Sequence, residues 1–181
     1  MIVQKTPIKD LLILKPTIFG DARGYFVETF NQTTFQKETG VSVQFVQDNL
    51  SLSAKGILRG LHFQNPPFAQ GKLVRVSRGS VLDVAVDIRK KSETYGKHVA
   101  VHLSAENQVQ FWIPAGFAHG FVSLEDDTVF EYKCTNFYQP KEEGTLLWND
   151  KALGIDWGIE HPITSAKDEV GNPLSELISP F

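Results

Sequence analysis

Ten short runs in which apolar and polar residues alternate leave this chain little room for anything but a β fold. The runs fall at 10–14, 24–30, 43–49, 57–63, 72–78, 80–88, 97–103, 109–113, 118–124 and 128–135, with Gly, Pro or Asn between them. Val, Ile, Phe and Tyr at period two, broken by turn residues, predict strands. Closely spaced short strands predict an antiparallel sandwich or barrel. One helix is expected at 31–39, with Asn31 as its N-terminal cap. From about residue 140 the chain is richer in Gly, Pro and acids and reads as loops and short turns, in which Trp148 and Trp157 should still find packing. No repeat or linker divides the chain, so one domain spanning 1–181 is expected.

Composition excludes several function classes. The net charge is -3 with no basic block, which argues against nucleic acid as a partner. No run approaches the ~20 apolar residues that span a bilayer, and the first ten residues carry no secretion signal. Cys134 is the only cysteine, so no internal disulfide forms. A cytoplasmic location is expected.

Alternation also says which side chains share a face. Leu82, Val84, Val86 and Ile88 form one apolar face, with Asp83 and Asp87 on the other. Lys72 shares a face with Val74 and Val76, His62 with Leu58 and Gly60, Tyr132 with Phe130 and Cys134, and Gln47 and Asn49 with Phe45. Faces of this kind, turned into a barrel, bring a few polar groups together in an apolar pocket, the usual make-up of a small-molecule site.

The segment from Pro114 to Gly120, Pro-Ala-Gly-Phe-Ala-His-Gly, resembles the second motif of the cupin superfamily, in which Pro and Gly turn the chain and aim a histidine, here His119, inward. The first cupin motif supplies two further histidines and a glutamate that bind metal with it. Its counterpart here is Gly60-Leu61-His62-Phe63-Gln64, so Gln64 replaces the second histidine and Lys72 stands at the glutamate position. A cation there repels a divalent ion. His98 and His102 on one strand lie about 13 Å apart, too far to share an ion. With His161 they read as surface histidines. No metal and no other cofactor is expected.

Ten strings in order extend the likeness along most of the chain: Gly20 to Phe26, Gln47 to Asn49, Arg59 to Gln64, Gly71 to Val76, Asp83 to Arg89, Thr94 to Gly96, Pro114 to Phe121, Tyr132 to Cys134, Trp148 to Asp150, and Lys167-Asp168. Together they resemble the dTDP-4-dehydrorhamnose 3,5-epimerases. The resemblance implies an all-β, cupin-type double-stranded β-helix (a jelly-roll barrel) with few short helices. It also implies a homodimer, and inversion at C3 and C5 of a 4-keto-6-deoxy sugar carried on dTDP, feeding rhamnose synthesis.

The chemistry asks for groups that the chain possesses. A C4 ketone acidifies the protons on C3 and C5. Inversion needs a base, an acid on the opposite face and a positive group at the enolate oxygen. His62 suits the base, Asp168 its orienting carboxylate, Lys72 the enolate stabiliser and Tyr132 the acid. By resemblance, Arg59 and Arg23 bind the diphosphate. Gln47, Asn49, His119 and Lys167 contact the sugar or wall the site. Phe19, Phe26 and Glu28 reach the nucleotide from a partner subunit, and Tyr138 stacks near the base. Asp83 is placed as a supporting partner of Lys72 or His62. Alternation sets Arg59 on the face opposite His62, so a turn or bulge at Gly60 is required.

Three rival readings remain at this stage. A C3-only epimerase or ketoisomerase on a related dTDP-sugar reuses the His and Lys, and Tyr132 favours double inversion over it. Gln64 and Lys72 oppose a metal-dependent cupin oxygenase. A cupin that only binds sugar nucleotides has no need of base, acid and cation together.

Overall fold

In the computed structural model, which describes residues 1–181, the alternating runs pair into two facing antiparallel sheets. The strands are β1 (Ile2–Lys5), β2 (Leu12–Lys15), β3 (Ile18–Asp21), β4 (Gly24–Val27), β5 (Gln47–Ser53), β6 (Leu58–Gln64), β7 (Lys72–Arg78), β8 (Ser80–Asp87), β9 (His98–Ser104), β10 (Gln110–Ile113), β11 (Phe117–Ser123), β12 (Thr128–Cys134) and β13 (Glu143–Thr145). One sheet has the order β1-β2-β10-β7-β12-β5 and the other β13-β6-β11-β8-β9, while β3 and β4 form a separate hairpin. The non-sequential orders are the jelly-roll signature of the cupin-like fold.

The helix α1 (Gln32–Thr39) forms where expected, and Asn31 accepts a hydrogen bond from the Thr34 amide at 3.1 Å. Gly40 ends it in the left-handed region at φ 72. Elsewhere the boundaries move. The expected strand 43–49 lies instead at Gln47–Ser53. Val43 and Phe45 leave the sheet and pack with Phe35 and Trp112, where α1 covers the outer face of the six-stranded sheet. The run 24–30 stops at Val27, because Glu28 accepts from the Asn31 side chain and the chain turns into the helix. The expected 10–14 strand forms as Leu12–Lys15 and gains a partner in β1, whose four residues are too few to show a period. The tail contains β13 and 3₁₀ turns at Pro140–Glu142, Asp168–Val170 and Leu174–Glu176.

Two cores result. Between the sheets lie Val74, Val76, Val81, Ala85, Phe111, Phe121 and Phe130. Outside the five-stranded sheet a second cluster joins Leu61, Val84, Val86 and Ile88 to Leu146, Leu153 and Trp157 of the tail. The apolar face of β8 therefore turns outward beneath the tail, and the face bearing Asp83 and Asp87 turns inward. Period two separates the faces but does not say which one meets the opposing sheet.

The bulge required at Gly60 is present. His119 pairs with His62 and Phe121 with Arg59, so Gly60 and Leu61 of β6 stand against Gly120 alone on β11. Gly60 has φ +140, and a Cβ on it would lie 2.5 Å from Gly120 Cα and 3.0 Å from the His119 carbonyl oxygen. Both neighbours are backbone and have no rotamer to give. Gly60→Ala is therefore expected to lower the thermal midpoint by roughly 5 °C or more, as read by calorimetry. An unchanged midpoint would mean that the strands tolerate separation.

Candidate active site

The bulge sends Arg59 and His62 to the same side of β6, and both line a cavity of about 660 Å³ between the sheets. His62 is a quarter exposed on its side chain, and its Nε2 lies 2.6 Å from Asp168 Oδ1. Asp168 begins the 3₁₀ turn of the tail. The Ser165 hydroxyl donates to its Oδ2 at 2.7 Å, and the Ser165 amide donates to the same oxygen at 3.3 Å. Burial alone would raise the Asp168 carboxyl, but the bonds from His62 and Ser165 outweigh it and hold the group below the ordinary carboxylate range. An ionised carboxylate only accepts. The Nε2 of His62 therefore carries the proton, and Nδ1 of the neutral ring is bare toward the cavity.

Across the cavity, β7 and β12 bring Lys72 and Tyr132 from the other sheet, with Lys72 Nζ 6.0 Å from the Tyr132 ring centroid. Burial pushes the Tyr132 phenol up to about 12, reinforced by Cys134 and Glu143 nearby. Burial lowers Lys72 from the ordinary lysine range, against the pull of Cys134, Glu143 and Asp83. His119 is also lowered, chiefly by burial. Its Nε2 lies 2.9 Å from Asp83 Oδ2. Asp83 thus pairs with His119, not with Lys72 or His62 as the sequence reading placed it. Both residues are on the inner face, and their strands β8 and β11 are adjacent.

The positions of a cupin metal site do not fit a metal here. No three His, Cys, Asp or Glu side chains gather to hold an ion. The Gln64 amide donates to the carbonyls of Phe68 and Phe137, and its oxygen accepts from the Gln139 amide, so all its polar capacity is spent on tying loops. Each of the two histidines has a ring nitrogen on a carboxylate, and Lys72 is a cation.

The family model described as dTDP-4-dehydrorhamnose 3,5-epimerase matches residues 5–176. The chain belongs to the dTDP-4-dehydrorhamnose 3,5-epimerase family. A Salmonella typhimurium protein of that name is 56% identical over 179 residues, 98% of each chain. A Legionella pneumophila dTDP-6-deoxy-D-glucose-3,5-epimerase, solved with dTDP-4-keto-L-rhamnose, is similar at TM-score 0.93 and 46% identity, over 97% of this chain and 93% of that one. A 3'-monoepimerase from Streptomyces bikiniensis, solved with dTDP as a double mutant (one His to Asn, one Tyr to Phe), is similar at TM-score 0.89 and 33% identity, over 94% and 86% of the two chains.

Against this epimerase family, the residues singled out in sequence divide into two groups. His62, Tyr132, Lys72, Asp168, Gln47, Asn49, Arg59, His119, Tyr138 and Lys167 all line the one cavity. Phe19, Arg23, Phe26 and Glu28 do not. Phe19 and Phe26 stand 62% and 68% exposed on the β3–β4 hairpin, and Arg23 is held by Asp21 at its tip. Glu143 was missed. It faces the cavity from β13, accepts from the Tyr138 hydroxyl at 2.7 Å and pairs with Lys167. A three-residue strand has no readable period. Ser165 was missed as well, although Ser-x-x-Asp is a capping pattern that carries the signal for its clamp on Asp168.

Nitrogen NMR of His62 at neutral pH is expected to show the Nε2–H tautomer, and Asp168→Asn to abolish that preference. A predominant Nδ1–H tautomer in the unmodified protein would contradict the assignment.

Proposed function

We propose that the chain inverts C3 and C5 of dTDP-4-dehydro-6-deoxy-glucose, giving dTDP-4-dehydro-L-rhamnose, with His62 as base and Tyr132 as acid. The observation that carries this reading is their opposition. His62 projects from one sheet and Tyr132 from the other, with the cavity between them. A base and an acid on opposite walls act on opposite faces of a sugar ring, which is what inversion demands.

Bare Nδ1 of His62 removes the proton from a carbon beside the ketone, and the electron pair moves to O4. Asp168 stabilises the imidazolium and fixes its orientation. The Lys72 ammonium faces the enolate oxygen in a dry setting, where its attraction is stronger than in water. Tyr132, which holds its proton to about pH 12, returns one to the other face. Arg59 extends along the same cavity wall as a diphosphate ligand. The exposed aromatics Phe19 and Phe26, with Arg23 and Glu28, are suited to a nucleotide bound in a second copy of the chain, which is the support for a homodimer. No helix is long and apolar enough to cross a membrane, and we place the enzyme in the cytoplasm, with its soluble nucleotide-sugar substrate.

One observation favours a second reading, inversion at C3 alone. The similar Streptomyces monoepimerase has a His and a Tyr of its own, replaced together in its double mutant. A tyrosine beside a histidine is therefore not by itself a mark of double inversion, and the preference for 3,5-epimerisation rests on the family.

Incubation in D₂O, with deuterium read at each sugar carbon, separates the readings. Label at both C3 and C5 is expected, whereas label at C3 alone would select the monoepimerase. His62→Ala should cut turnover by about 10³-fold or more while leaving the fold intact. Tyr132→Phe should slow C5 more than C3, and equal loss at both would remove that division of labour. Activity should also survive dialysis against a strong chelator, and its loss would restore a metal to the mechanism.

A further inference from the structure

A double inversion by one base has a timing requirement that a single inversion lacks: the base must be reset while the sugar is still in the site, not after product has left. In each inversion a C–H bond breaks as an N–H bond forms on His62 Nδ1, and a new C–H bond forms on the other face, at C5 as the Tyr132 O–H bond breaks and at C3 as an O–H bond of water breaks. After the first inversion His62 is an imidazolium. It must lose that proton before it can act on the second carbon. The Nε2 proton of His62 is committed to Asp168 at 2.6 Å. The proton on Nδ1 is the one that must leave.

One carboxylate stands on that side of the ring. Glu143 Oε1 lies 3.9 Å from Nδ1, on a side chain only 13% exposed. A bridging water or a small swing of the imidazole closes that gap. Its other oxygen accepts from Tyr138, and Oε1 pairs with Lys167, whose side chain is 47% exposed and reaches the solvent boundary. We propose that Glu143 takes the abstracted proton from His62 Nδ1 between the two inversions and passes it to solvent. The N–H bond breaks, an O–H bond forms on Glu143, and water then removes that proton. The Tyr132 phenolate recovers its own proton from water. Burial works to raise the Glu143 carboxyl, but the bonds from Lys167 and Tyr138 outweigh it and hold the group below its ordinary range. It therefore stands ionised, ready to accept and quick to release. The inference rests on His62 being the base.

The test is Glu143→Gln, supplied with dTDP-4-dehydro-6-deoxy-glucose in D₂O and followed by NMR at each carbon. The first inverted carbon should gain deuterium within about threefold of the normal rate. The second should be slowed about tenfold or more, so that singly inverted sugar accumulates. Glu143→Asp, which keeps a carboxylate, should recover part of the second inversion, and added formate or acetate should do the same for Glu143→Ala. Equal slowing at both carbons without carboxylate rescue would overturn the proposal in favour of a binding or structural role. Normal rates at both would overturn it outright. Exchange at neither carbon by the unmodified enzyme would instead overturn the epimerase reading, and this proposal with it.

Discussion

Two strands of the barrel touch at a point where only glycines fit. Gly60 and Gly120 approach so closely that a Cβ on either would meet the other's backbone, at 2.5 Å in one direction and 2.9 Å in the other. That contact lets β6 take up an extra residue against β11 and still stay paired. The extra residue decides the chemistry of the cavity wall. Without it Arg59 and His62 would point to opposite sides of the sheet, and the arginine proposed to hold the diphosphate would be separated from the proposed base by a layer of backbone.

The outward cover of the same sheet matters as much. The tail packs Leu146, Leu153 and Trp157 on the back of β8 and β11. A parallel bridge between Ile57 and Ile163 then leads it around the sheet edge, so that Asp168 arrives inside the cavity. A charged group 2% exposed is costly unless it is bonded on every side. Asp168 meets that condition through His62 and Ser165. Asp87 does so at the far end of β8, where Arg89, Ser92 and Thr94 all donate to it and hold its carboxyl near about 2, against the raising effect of burial. Gln64 is the neutral version of the same solution, an amide spent on loop carbonyls where other cupins bind metal.

The residues most legible in sequence were those whose neighbours obey the rule of period two. Lys72 with Val74 and Val76, and Tyr132 with Phe130, lie on the inner face as alternation requires. Asn31 capped its helix because a side-chain oxygen at that position satisfies an amide that the helix leaves free. What escaped was long-range. Val43 and Phe45 alternate as a strand does, but an aromatic cluster around Phe35 offered them more burial. Alternation separated the apolar face of β8 from the face bearing Asp83, but nothing local announces that a distant tail will cover the apolar one. Glu143 escaped because its strand is three residues long and its partners, His62 and Lys167, are remote in the chain. Phe19, Arg23, Phe26 and Glu28 were legible by likeness alone, since none of them lines the cavity that holds His62 and Tyr132.

The chain's one thiol has a use that its chemistry alone would not suggest. Cys134 is fully buried and sits opposite Lys72 in the pairing of β12 with β7, with its thiol raised above the ordinary range by burial. An alkylating reagent reaches it only when those two strands part. Its labelling rate is therefore a clock for the breathing of the wall that carries Lys72 and Tyr132, readable in the unmodified protein with no probe introduced. A nucleotide sugar that bridges the two sheets should slow that clock, turning ligand occupancy into a covalent record.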